Sequence, residues 1–152
     1  MVDMTAALIH HGHVALLKKA FQYGTVVVGL TSDDEVQTKK GYVAELSFNE
    51  RKSILEEFEC VSEVVATPWL ITDEILQKHK IDFLLHGHDN VNDIPQEKLI
   101  VLPRTNGVSS TDLRERAFKN LVRKACVENL SEAQIRSMDV EDFILSADRN
   151  VF

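Results

Sequence analysis

The chain has 152 residues, 44% of them apolar and 27% charged, and its 17 Lys and Arg against 24 Asp and Glu give a net charge of −7. That is the length of one ordinary domain, and the composition excludes both a disordered polymer and, with apolar runs of only about five or six residues, a bilayer-spanning helix. The acidic balance repels nucleic acid and anionic membrane surfaces, so neither is an expected partner, whereas a small anion needs only a local pocket of N–H groups and cationic side chains.

Taken in chain order, the apolar residues Met4 to Ile9 read as a first strand that ends at His10-His11-Gly12-His13. Helical periodicity then runs from His13 to Tyr23, followed by the branched run Val26 to Leu30. Ser32-Asp33-Asp34-Glu35 has the form of a capping box, and Thr38-Lys39-Lys40-Gly41 closes that helix early into a polar loop. A second box, Ser47-Phe48-Asn49-Glu50, opens a helix to Phe58. Strand-like Val61 to Ala66, a helix over Thr72 to Lys80, and the strands Phe83 to Leu85 and Leu99 to Leu102 complete the alternation. Short, nearly continuous branched runs suit strands buried on both faces, and their alternation with helices predicts an α/β fold: a Rossmann-like, doubly wound parallel sheet. After Arg116 the strand signal stops. Ala117 to Glu128 and Ser131 to Ile144 read as a C-terminal helical extension, so the expectation is one domain over 1–152, with an α/β core to 116 and a helical tail over 117–152.

The chain's opening residues, Met1-Val2-Asp3-Met4-Thr5, carry no basic segment ahead of an apolar one, so a cytoplasmic location is expected. Cys60 and Cys126 lack a C-x-x-C spacing and read as buried thiols. Five of the six histidines fall in two clusters, His10-His11-Gly12-His13 and His86-Gly87-His88, each placed where a strand ends. Ligands of open α/β sheets bind at those carboxyl ends. The first cluster also opens a helix, so Gly12 allows a close backbone approach and the first free N–H groups face an anion.

His10-x-Gly12-His13 at the first strand-to-helix turn, together with Arg104-Thr105-Asn106-Gly107-Val108-Ser109-Ser110-Thr111 opening a late helix, resembles the two signatures of the cytidylyltransferases of the HxGH nucleotidyltransferase superfamily. The resemblance covers roughly Met1 to Arg116. It implies transfer of CMP from CTP to the phosphate or phosphonate of a small alcohol, such as glycerol 3-phosphate, phosphocholine or phosphoethanolamine, with release of pyrophosphate. It further implies Mg²⁺ accompanying CTP as the cofactor, and a homodimer.

The resemblance assigns catalytic roles to His10, His13, Arg104 and one of Lys39 and Lys40. It places Gly12, Arg51, His88, Asp89, Thr105, Gly107, Ser109, Ser110 and Thr111 around the nucleotide. Arg51 matches the family's arginine in its E-R segment, and the lysines sit on a loop over the sheet edge. Removing one donor to a developing oxyanion costs ~10²- to 10³-fold in rate. Two positions depart from the family pattern: Ala7 stands where family members carry aspartate, and His88 where an acidic residue is common. Three other readings stay open: an adenylyltransferase of the same superfamily, a silent nucleotide-binding module suggested by Ala7, and a metal-dependent hydrolase in which the clustered histidines and Asp89 bind zinc. His11 reads as a turn residue, and His86 as a hydrogen-bonded core residue. Trp69 after Pro68 reads either as a cap on the sheet edge or as an acceptor-binding ring.

Overall fold

A computed structural model describes residues 1–87, 91–103, 105, 107–127 and 133. Five strands, β1 (Val2–Met4), β2 (Val26–Thr31), β3 (Val61–Thr67), β4 (Leu84–His86) and β5 (Leu99–Val101), pair in parallel in the order β3-β2-β1-β4-β5. The expected sheet is therefore present. Its direction of winding reverses between β1 and β4, the crevice where open α/β sheets take their ligands.

Helices α1 (His11–Phe21) and α3 (Phe48–Glu56) lie against one face and α4 (Asp73–Lys78) against the other. The side chains divide accordingly. Val2, Val28, Leu30 and Val64 join Leu17 and Leu55 in one cluster, while Met1 and Leu84 join Ile71 and Leu76 in a second. Strand alternation thus feeds two cores from one sheet. A third, smaller cluster of Ala7, Val36 and Ala44 with Tyr42 sits beneath α2 (Asp33–Lys40).

Local chemistry accounts for the helix ends. Ser47 accepts from Glu50 N while the Glu50 carboxylate accepts from Ser47 N at 2.8 Å, so the expected box is reciprocal. At α2 the box is one-sided: Ser32 Oγ accepts from Glu35 N, but the Glu35 carboxylate instead accepts from Trp69 N at 3.1 Å. The tertiary partner wins because the β3 exit passes within reach. Helix α2 runs on through Lys39 and Lys40, correcting the expected polar loop. Its three first-turn acids and two last-turn lysines complement the helix dipole, and Gly41 ends it in a left-handed C-cap.

Two boundaries also move. Strand β1 stops at Met4, and residues 5–9 carry the chain irregularly to α1, which begins at His11 rather than His13. Helix α5 (Ser110–Val127) is continuous through Arg116. Contacts divide the chain into units Met1–Ser110 and Thr111–Phe152, so the boundary expected at 116 falls inside α5. The helix expected over Ser131 to Ile144 lies outside the described residues, apart from residue 133.

Candidate active site

The carboxyl end of β1 delivers His10 and His13 to the first turn of α1. His10 is the N-cap, and its Nδ1 accepts from Gly12 N at 3.1 Å, while His13 Nδ1 accepts from His10 N at 3.2 Å. A backbone N–H can only donate, so each Nδ1 is the acceptor nitrogen and the proton of each neutral ring sits on Nε2. The rings lie against each other tilted by 35°, with centroids 3.9 Å apart. In the neutral rings both Nε2 atoms are thus donors, and both belong to one helix N-terminus. Burial, the neighbouring His10 and the Lys40 charge lower the His13 pKa to about 4. Near neutral pH His13 is an uncharged donor, one that does not depend on capturing a proton.

Gly12 is required here by close approach. A Cβ at this position would lie 2.9 Å from His10 Cε1 and Nδ1 and 3.1 Å from Val108 Cγ1. Any side chain would displace the ring that caps the helix. His11 is exposed, with its ring 6.3 Å from His10, as a turn residue would be.

Of the two lysines, Lys40 is the one whose charge reaches His13, and its ammonium stands 5.5 Å from the Trp69 ring centre. Lys39 is exposed on the same last turn. The Glu35 bond to Trp69 N fixes the β3 exit against the helix that carries Lys40, so one element positions both groups.

Arg51 differs from its expected role. Its side chain is 0% exposed. Nε donates to Leu46 O, Nη1 to Thr5 O and Thr31 O, and Nη2 to Asp33 Oδ1, at 2.5 to 3.0 Å. With its donors turned to carbonyls at the ends of β1 and β2, the guanidinium is a buried brace under the site rather than a group facing a nucleotide. Asp33 completes the brace, since its other oxygen accepts from Phe48 N at the start of α3. Sequence reading took Ser32 to Glu35 only as a capping box, because nothing in its spacing reports partners 15 to 34 residues away.

The second signature is described in part. Thr105 is half-buried, Gly107 has φ +78°, Val108 is buried beside Gly12, and Ser110 Oγ donates to Leu8 O at 3.3 Å. Ser109 is half-buried and Thr111 exposed. This segment therefore meets the His10 turn, as the pairing of the two signatures requires. Arg104, Asn106, His88 and Asp89 lie outside the described residues. Cys60 is half-buried.

Among the described residues no group of three His, Cys, Asp or Glu side chains could hold a metal ion. Asp33 is engaged by Arg51 and Phe48 N, Glu35 by Trp69 N, and the third-before-histidine position is the apolar Ala7. The hard oxygen donors that Mg²⁺ prefers are thus not assembled by these residues. No helix among them is long and apolar enough to cross a membrane.

The cytidylyltransferase-like family model matches residues 5–116. The chain belongs to the cytidylyltransferase-like family. Its relatives include a glycerol-3-phosphate cytidylyltransferase of Bacillus subtilis, 34% identical over 73% of this chain and 90% of that protein. A probable choline-phosphate cytidylyltransferase of Schizosaccharomyces pombe is 36% identical over 74% of this chain but only 35% of its own length. An ethanolamine-phosphate cytidylyltransferase of mouse is 34% identical over 78% and 31%. The chain therefore spans about a third of the longer relatives and nearly all of the bacterial one. A lipopolysaccharide core biosynthesis protein from Thermoplasma volcanium shares the fold, with a TM-score of 0.60 at 18% identity, over 70% of this chain and 96% of that one. By family, the chain is a nucleotidyltransferase.

Proposed function

We propose that this cytidylyltransferase-like enzyme transfers CMP from CTP to the phosphate of a small alcohol and releases pyrophosphate. The observation that carries the reading is the pair of imidazoles at the start of α1, centroids 3.9 Å apart, each accepting a backbone N–H at Nδ1 so that the proton of the neutral ring sits on Nε2. The relatives named for glycerol 3-phosphate, choline phosphate and ethanolamine phosphate supply the substrate class.

In this reaction an oxygen of the acceptor phosphate attacks the α-phosphorus of CTP in line. A new P–O bond forms, the bond to the β-phosphate oxygen breaks, and pyrophosphate leaves with the electron pair. No covalent enzyme intermediate is needed. The chain's contribution is to bring two anions together and to stabilise charge growing on the bridging oxygen. His10 and neutral His13 donate from Nε2, the N-terminal end of the α1 dipole adds a fixed partial positive charge, and Lys40 supplies a full charge from the α2 side. Val108 and Ser110 meet the same turn, which supports assigning Thr105, Gly107, Ser109 and Ser110 to the outer phosphates. Mg²⁺ enters as part of the nucleotide substrate, and no step is assigned to a protein-held ion. Cytoplasmic location and a homodimer belong to the same proposal.

The test is thermal stabilisation by CTP against ATP, followed by pyrophosphate release with glycerol 3-phosphate, phosphocholine and phosphoethanolamine as acceptors. Stabilisation by CTP with release on one of the three supports the reading. Stabilisation by ATP alone moves the chain to adenylyl transfer, and CTP binding without release for any acceptor makes it a silent nucleotide-binding module.

A further inference from the structure

Helix α2 is anchored on two sides. Buried Val36 belongs to one cluster with Ala7, on the passage from β1 to the His10 turn, and Glu35 accepts from Trp69 N at 3.1 Å where the chain leaves β3. Trp69 is itself pinned along the chain, standing between the buried residues Thr67 and Ile71. Lys40 follows Val36 by one helical turn and so shares its side of α2. Its ammonium comes to 5.5 Å from the centre of the Trp69 ring.

That contact lies within the ~6 Å over which a ring face attracts a cation, and near a surface such a contact changes an equilibrium about two- to fivefold. The effect matters because of the lysine stem. A flexible four-carbon chain leaves an exposed ammonium spread over many positions, only some of them near the histidine turn, and a ring that holds it removes much of this freedom. The Lys40 charge is felt at His13, where it helps to keep the imidazole neutral, so ammonium and imidazole act on one space. A ring face holding one ammonium is also closed to a second cation, because like charges repel. This sets a seat for Lys40 apart from the acceptor-binding ring expected as one alternative for a tryptophan after Pro68.

We infer that Trp69 is a positioning residue for Lys40: its ring, fixed to α2 by the Glu35 bond to its backbone N–H, seats the ammonium beside the histidine turn before the phosphates arrive. The inference rests on the cytidylyl-transfer reading above. Because Glu35 holds the main chain of Trp69 and not its ring, replacing the ring leaves the tie between α2 and the β3 exit in place and removes the seat alone.

The experiment is a double-mutant cycle over wild type, Trp69→Leu, Lys40→Met and the combined variant, with Trp69→Phe as the control that keeps a ring. It reads kcat, acceptor KM and CTP Kd, using whichever of glycerol 3-phosphate, phosphocholine or phosphoethanolamine is turned over. Trp69→Leu should lower kcat and weaken CTP binding by about fivefold each while the acceptor KM stays within about twofold, and Trp69→Phe should recover most of both losses. On the Lys40→Met background the same Trp69→Leu change should alter neither by more than about 1.5-fold, since no ammonium is left to seat. Equal losses with and without Lys40 would overturn the inference and make Trp69 a cap on the sheet edge. A rise in acceptor KM that persists without Lys40 would overturn it in favour of an acceptor-binding ring. If Trp69→Leu lacks a thermal transition, Glu35→Ala takes its place in the cycle: it unpins the ring, and its loss must likewise vanish without Lys40. A wild type that releases pyrophosphate with none of the acceptors overturns the parent reading, and the CTP Kd values of the same four proteins then decide the seat; a wild type that binds no CTP overturns both.

Discussion

Replacing Arg51 by Met tests whether the guanidinium braces the site or touches the nucleotide. Methionine keeps much of the buried stem but removes the donors to Thr5 O, Thr31 O and Leu46 O and the partner of Asp33. Three carbonyls then lose their partner, at about 1–3 kcal/mol for each that stays buried. The Asp33 term is small, because that side chain is 42% exposed and water takes over the carboxylate. Relief from holding a charge out of water offsets part of the loss, leaving about 3–5 kcal/mol. Urea unfolding followed by Trp69 fluorescence should show this as a lower midpoint. Because Thr5 O is one of the lost partners, the passage from β1 to His10 loosens as well, and kcat should fall while CTP still stabilises whatever remains folded. Arg51→Lys keeps the charge but not the fork of donors, and its stability should fall between the two. A Met variant less than about 1 kcal/mol weaker than wild type, with CTP stabilisation abolished, would refute the brace and return Arg51 to the ligand.

Three further outcomes follow from the same geometry. Native His13 resists a proton until about pH 4, whereas an unfolded histidine accepts one near 6.5. Stability is therefore full above that higher value and is lost as pH falls through the window, by up to about 3 kcal/mol; His13→Ala should flatten this slope, and an unchanged slope would remove His13 as its source. Gly12→Ala drives a methyl to 2.9 Å from the His10 ring; turnover measured by pyrophosphate release should fall by about 10², and near-normal turnover would show that His10 does not need its cap. Ala7→Asp places a carboxylate among Val36, Ala44 and Tyr42 at a position 2% exposed. Chemical denaturation should show a loss of ~2 kcal/mol or more at pH 7, shrinking in acid where the carboxyl is neutral. A gain in turnover without that loss would mean the site readily accepts the family's aspartate.

Much of the molecule was legible because it is encoded in neighbours. Val26 to Thr31 and Val61 to Thr67 are strands because branched runs bounded by turns have few other places to go, and Ser47 with Glu50 makes its box within four residues. The His10-x-Gly12-His13 turn was equally local: spacing alone puts both rings on one helix start. Three-dimensional packing decided what lies far apart in the chain. It took Glu35 from its own cap to Trp69 N, and it swung Arg51 inward to carbonyls at the ends of two strands. It chose Lys40 over Lys39 as the charge near His13, and brought Asn92 within reach of both Ile71 and Asp3. A side chain's short-range partners follow from helix and strand geometry. A long polar side chain with several acceptors in range settles on the set that leaves the fewest buried groups unpaired, and that set exists only once the strands are side by side.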